Sequence, residues 1–184
     1  MKTIEIKGSL RNEFGKKSTK QVRKEGAVPC VIYGKEKNIH FSAPELSFKN
    51  LVYTHEAHLV RIRLEDQEYN AVLHDMQFHP VTDRILHADF TQIYENKPVI
   101  IDVPVTLTGE CEGVKAGGKL IVYKRHLKVK GMADKLPEEL LVDVTELKIA
   151  HSIKVGELKY DNIELIDPRI TTVVTVATSR VALK

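Results

Sequence analysis

Residues 2–10 alternate polar and apolar side chains, the two-residue period of a strand with one buried face. The alternation breaks at Glu13-Phe14-Gly15-Lys16-Lys17. Ser18 with Gln21 three residues on forms a capping-box pattern, which predicts a short helix with Ser18 as its N-cap. Gly26 is the natural stop, with Pro29 beyond it. Val22 then faces inward, while Lys20, Arg23 and Lys24 share one side. Residues 28–33 are apolar almost throughout and read as a buried strand ending at Gly34. A second helix is predicted after Ser42, with Pro44 in its first turn and Glu45 completing another capping box. Its apolar face would be Leu46, Phe48, Leu51 and Val52. Strands at about 58–64 and 69–77 are joined through Glu65-Asp66-Gln67-Glu68, as in a hairpin. A further strand at about 84–94 sets Leu86, Ala88 and Phe90 on one face against Ile85, His87, Asp89 and Thr91 on the other.

The polar run Glu95-Asn96-Lys97-Pro98 marks the predicted domain boundary, dividing the chain into 1–94 and 95–184. Beyond it come short β segments at 99–108, 119–123, 126–132, 140–144, 163–166 and 171–178, punctuated by Gly109, Gly113, Gly117-Gly118, Pro137 and Pro168. Residues 155–158 suit one turn of helix. The predicted fold class is mostly β with a few short helices, in two domains.

Composition narrows the function. The chain has 184 residues, 42% apolar and 29% charged, without tryptophan. Its formal charge is only +3, but that charge is unevenly placed. Residues 1–40 carry +6, residues 41–94 carry −4 and residues 95–184 carry +1. A local cationic excess suits a polyanionic partner; the alternative is a solvated lysine-rich face. Cys30 and Cys111 lie far apart among apolar neighbours, which predicts buried free thiols in a reducing cytoplasm. Neither a signal-peptide core nor a run of about 20 apolar residues is present, so a soluble cytoplasmic protein without membrane contact is expected.

Arg11, Lys16, Lys17, Lys20, Arg23 and Lys24 crowd into fourteen positions. RNA phosphates call for that density of cations, and arginine adds a bidentate fork. Tyr33, at a strand end, could meet a ribose, phosphate or base, or simply pack at a core edge. His87 and Asp89 project to one strand face. They suit base-edge recognition, a metal site or a general base, or a surface pair without function. Gln77-Phe78-His79-Pro80 ends a strand, where a Gln can read base edges or cap a loop. The histidines match no compact metal motif, and the chain has no GxSxG, P-loop or GxGxxG. Two rival readings remain. One is a metal-dependent hydrolase using His74, His79, His87 and Asp89. The other is a protein-binding adaptor working through the second half, where Lys124, His126, Lys128 and Lys130 share a strand face.

Ser9-Leu10-Arg11 with Phe14-Gly15-Lys16 resembles the opening of the bacterial large-subunit ribosomal protein L-twenty-five family, also called general stress protein Ctc. So do Val22-Arg23, Val28-Pro29, Val31-Ile32-Tyr33-Gly34, Gln77-x-His79-Pro80 and His87-x-Asp89-Phe90, in order over residues 1–94. Residues 95–184 resemble the extra domain of the family's long form through Gly109-Glu110-Cys111-Glu112-Gly113-Val114-Lys115-x-Gly117-Gly118, Leu136-Pro137-Glu138, Val142-Asp143-Val144, Ile153-Lys154-Val155-x-Glu157-Leu158 and Val173-Val174-Thr175-Val176. The resemblance implies an N-terminal β-barrel with short helices and a largely β C-terminal domain. It implies a non-enzymatic ribosomal protein without cofactor or metal, monomeric when free. Its expected partners are 5S rRNA, gripped across the minor groove of an irregular helix, and the large subunit with its neighbouring proteins. Carried over by position, Arg11, Lys16, Lys20 and Arg23 are expected on backbone and groove, and Thr19 near a phosphate. Tyr33, Gln77, His87 and Asp89 are expected on the groove floor. Gln21 departs from the arginine common in relatives, and Thr19 from a smaller residue or Ser, which suggests one fewer phosphate contact.

Overall fold

The computed structural model describes residues 2–35, 37–54, 56–65, 67–94 and 97–178. Two units are resolved, Met1–Ile101 and Asp102–Lys184. Asp66 of the predicted hairpin and Glu95 and Asn96 of the predicted boundary lie outside the described residues.

The first unit is a closed six-stranded barrel. Its strands are β1 (Thr3–Leu10), β2 (Ala27–Tyr33), β3 (Asn38–Pro44), β4 (Leu59–Leu64), β5 (Gln67–Phe78) and β6 (Ile85–Gln92). They follow each other around the barrel as β1-β3-β2-β6-β5-β4. A parallel β1–β4 ladder from Thr3↔Leu59 to Gly8↔Leu64 closes the ring. The two-residue alternation sends Ile6, Val28, Cys30, Ile32, Phe41, Ile62, Leu64, Ala88 and Phe90 into one core. Phe90 sits between Phe41 and Phe48, at centroid distances of 5.9 and 6.4 Å. Gly8 has a packing reason: a Cβ there would stand 2.8 Å from both the Phe41 ring and the Ser42 carbonyl oxygen.

Three local expectations are corrected. The first helix, α1, spans Lys16–Lys24 and is capped by Gly15 at φ 111°, with no side-chain cap. Ser18 is therefore inside the helix; its hydroxyl donates to the Glu13 carbonyl and accepts from Arg11. Gln21 bonds forward to Glu25 at 3.2 Å instead of back to a cap. The left-handed glycine starts the helix three residues earlier than a serine cap would. Second, residues 38–44 form β3, and helical structure begins only at Glu45, as a 3-10 turn Glu45–Phe48 leading into α2 (Lys49–Val52). Glu45 closes no capping box: its carboxylate accepts from Arg84 at 2.8 Å and from the Ile85 amide at 3.2 Å. Leu46 is 85% exposed and leaves the expected apolar face, whereas Phe48 and Leu51 are buried. Third, the β5–β6 register shifts between Gln77 and Phe78. The irregularity buries Ile85 with Ala88 and Phe90 and leaves Leu86 half-buried.

The second unit has a sheet of β10 (Leu140–Asp143), β7 (Val99–Thr108, in this unit from Asp102 onward), β9 (His126–Gly131) and β12 (Ile163–Leu165), in that order. A second sheet orders β11 (Ser152–Lys154), β13 (Thr172–Ala177) and β8 (Lys119–Val122). Cys111, Val142, Val144, Leu147, Val174 and Val176 form a core there. β11 and the one-turn helix α3 (Glu112–Lys115) were not expected; the turn at Val155–Glu157 was. Both cysteines are free and buried. The mostly-β, two-unit architecture agrees with the predicted fold class.

Candidate nucleic-acid interface

Ala88 and Phe90 point into the barrel, so His87 and Asp89 point out. The registers extend that outer surface sideways. His40 of β3 pairs with Val31 of β2, Val31 with Asp89 of β6, and Asp89 with Asp75 of β5. Gln77 stands opposite His87. Tyr33, two residues beyond Val31 on the same face, is 43% exposed at the strand end.

His87 Nδ1 lies 3.3 Å from Asp89 Oδ2. A carboxylate only accepts, so this contact places a proton on Nδ1 and leaves Nε2 to face a partner. Asp89 Oδ1 is buried and has no hydrogen-bond partner among the described residues. Desolvation first, then the Asp89 charge and a hydrogen bond toward its carboxylate, hold the Tyr33 hydroxyl above the usual phenol range. Burial, reinforced by Asp89, pushes the Cys30 thiol far up, leaving it protonated beneath this face.

Helix α1 is fastened to the same surface. Arg23 Nε and Nη2 donate to the Leu86 carbonyl at 3.0 and 2.8 Å. Leu86 falls within the β5–β6 register shift and outside the β2–β6 ladder, so its carbonyl needs a donor from elsewhere. Arg23 is thus a peg as well as a cation. Arg23→Met keeps the stem and removes the fork. It should cost about 1–3 kcal/mol in urea denaturation; an unchanged midpoint would show the peg to be idle.

Lys16, Lys17, Lys20 and Lys24 are exposed, and none pairs with an acid among the described residues. Arg11 reaches back to the Glu13 carbonyl and Ser18 hydroxyl, both at 3.3 Å, which holds the loop before the helix. Thr19 donates its one hydroxyl proton to the Gly15 carbonyl at 2.8 Å, so toward a phosphate it has none to spare. Sequence reasoning missed the contact of Phe14, 63% exposed, with His40, at 4.7 Å between ring centroids. Its signal was a lone aromatic in a polar run.

The set His74, His79, His87 and Asp89 converges less well. His79 Nδ1 accepts from the Val81 and Thr82 amides and so organises its own turn. No group of three or more His, Cys, Asp or Glu side chains among the described residues could hold a metal ion. In the second unit, His126, Lys128 and Lys130 do share the exposed face of β9. Lys130 is partly offset by Glu164 at 3.6 Å, and Lys124 by Asp167 at 3.8 Å. No helix among the described residues is long and apolar enough to cross a membrane.

Residues 6–90 match the Ribosomal L25p family, and residues 98–180 match the C-terminal domain of ribosomal protein TL5. The large ribosomal subunit protein bL25 of Phocaeicola vulgatus is 48% identical over 189 residues, covering 99% of this chain and 96% of the relative. That of Porphyromonas gingivalis is 45% identical over 184 residues, covering 99% and 96%. That of Christiangramia forsetii is 46% identical over 182 residues, covering 98% and 83%. Matches to both family regions in chain order, and relatives aligned along almost the whole length, make this chain a member of the bacterial bL25 family in its long, two-domain form.

Proposed function

We propose that the protein is a non-catalytic constituent of the large ribosomal subunit, working in the cytoplasm, and that its first unit binds 5S rRNA from the minor-groove side of an irregular helix. The names of its relatives support the ribosomal placement. The observation that carries the RNA reading is the Arg23–Leu86 contact, which sets an unpaired cationic helix beside the His87–Asp89 face. Phosphate contacts position a protein, whereas contacts to base edges specify its site. The minor groove of A-form RNA is wide and shallow, within reach of a strand face.

The division of labour follows from donor and acceptor chemistry. Lys16, Lys20 and Arg11 neutralise backbone charge. Tyr33 donates, Gln77 does both, and His87 offers Nε2. Asp89 is the acceptor of the set, and the natural donors for a carboxylate in that groove are a guanine 2-amino group or a 2′-hydroxyl. The segment 1–94 is the RNA-binding domain in this reading, with the second unit free for other contacts on the subunit.

Gel-shift titration of 5S rRNA against an unrelated duplex, at several salt concentrations, tests the proposal. Equal, weak binding to both would defeat it. Asp89→Ala should cut the preference for 5S rRNA roughly tenfold or more, the worth of one good base contact, with less change in bulk affinity. An unchanged ratio between the two RNAs would remove Asp89 from recognition.

A further inference from the structure

A second cationic site lies past the other end of β2. Directly after Tyr33, Gly34, Lys35, Lys37 and Ile39 line a cleft of about 350 Å³ together with Gln92 and Tyr94. The loop is held in a set shape. The Tyr94 hydroxyl accepts from the Lys35 amide at 2.7 Å and donates to Gln92 Oε1 at 2.9 Å. Gly34 fits closely there: a Cβ would come within 2.8 Å of the Lys37 carbonyl oxygen and 2.9 Å of Gln92 Oε1. Lys97 extends over the Tyr94 ring at 5.8 Å. Lys35 and Lys37 are exposed, and neither pairs with an acid among the described residues. Glu36, between them in sequence, lies outside the described residues.

We propose that Lys35 and Lys37 form a second RNA-backbone site, gripping the phosphate wall opposite the one that α1 contacts. The inference rests on the RNA reading above and adds a partner strand to it. Arg23 fixes the end of α1 near the start of β2, and Lys35 follows the end of β2. A strand of that length spans roughly 20 Å. Cations therefore stand at both ends of a face whose middle carries His40, His87, Asp89 and Gln77. A shallow groove presents the same order to a docking face: phosphate, floor, phosphate.

Phosphate-protection footprinting of 5S rRNA with the full chain, combined with salt titration, tests this. Lys35→Ala/Lys37→Ala should lose protection on one strand segment, distinct from the segment lost with Lys16→Ala/Lys20→Ala. It should also flatten the plot of log K against log salt by about 1–2 while sparing the preference for 5S rRNA. An unchanged footprint and slope, with wild-type selectivity intact, would overturn this site alone. Wild-type protein that does not prefer 5S rRNA would overturn the RNA reading itself. Circular dichroism of the variant confirms folding, since both lysines are exposed and Gly34 is untouched.

Discussion

Phe90→Ala is expected to destabilise the first unit by about 3–5 kcal/mol, the usual cost of emptying a fully buried aromatic site. Phe90 has no exposed surface and touches both Phe41 and Phe48, so no single neighbour can move to fill the void. A domain holds only about 5–15 kcal/mol in total, so the loss removes a large share. The functional effect follows from position: Phe90 is the buried neighbour of Asp89, on the strand that Arg23 pegs. Urea unfolding of the full chain, watched separately for each transition, measures it. A loss below about 1 kcal/mol would mean that the three phenylalanines do not form the centre of the core.

Lys16→Ala/Lys20→Ala should weaken binding to 5S rRNA and to the unrelated duplex alike, by roughly 10–100-fold near 0.1 M salt. Each lysine that neutralises a phosphate releases about one counterion, so the plot of log K against log salt should flatten by about 1.5–2. Stability should hardly change, because both side chains are exposed and no packing is lost. This pattern is the reverse of the one expected for Asp89→Ala, which spends its effect on selectivity. Full retention of affinity and slope would leave α1 a solvated helix without phosphate contacts.

Much of the barrel was legible in its hydrophobic pattern. The alternation of residues 58–64 buries Val60, Ile62 and Leu64, and that of residues 2–10 buries Ile6 but leaves Leu10 exposed. Residues 28–33 form a continuous run whose Val28, Cys30, Val31 and Ile32 are buried. β3 was missed although Ile39, Phe41 and Ala43 alternate there, because Ser42, Pro44 and Glu45 imitate a helix start. The same imitation misplaced the start of α1, where Gly15 caps by backbone geometry and leaves no side-chain signature. The interface was legible as a set of residue types, and His87, Asp89 and Gln77 do share a face. The second role of Arg23 was not legible. It depends on a register shift that frees the Leu86 carbonyl, and a one-residue slip between strands leaves no trace in local sequence.

The order of strands around the barrel differs from their order along the chain: β6, the last, inserts between β2 and β5. During synthesis the cations of α1 emerge from the exit tunnel early, while their fastening point at Leu86 and the acceptor at Asp89 emerge only with the final strand. On the RNA reading proposed above, a nascent or truncated chain would have affinity for any RNA before it had discrimination, since the stretch that completes the ring also carries Asp89.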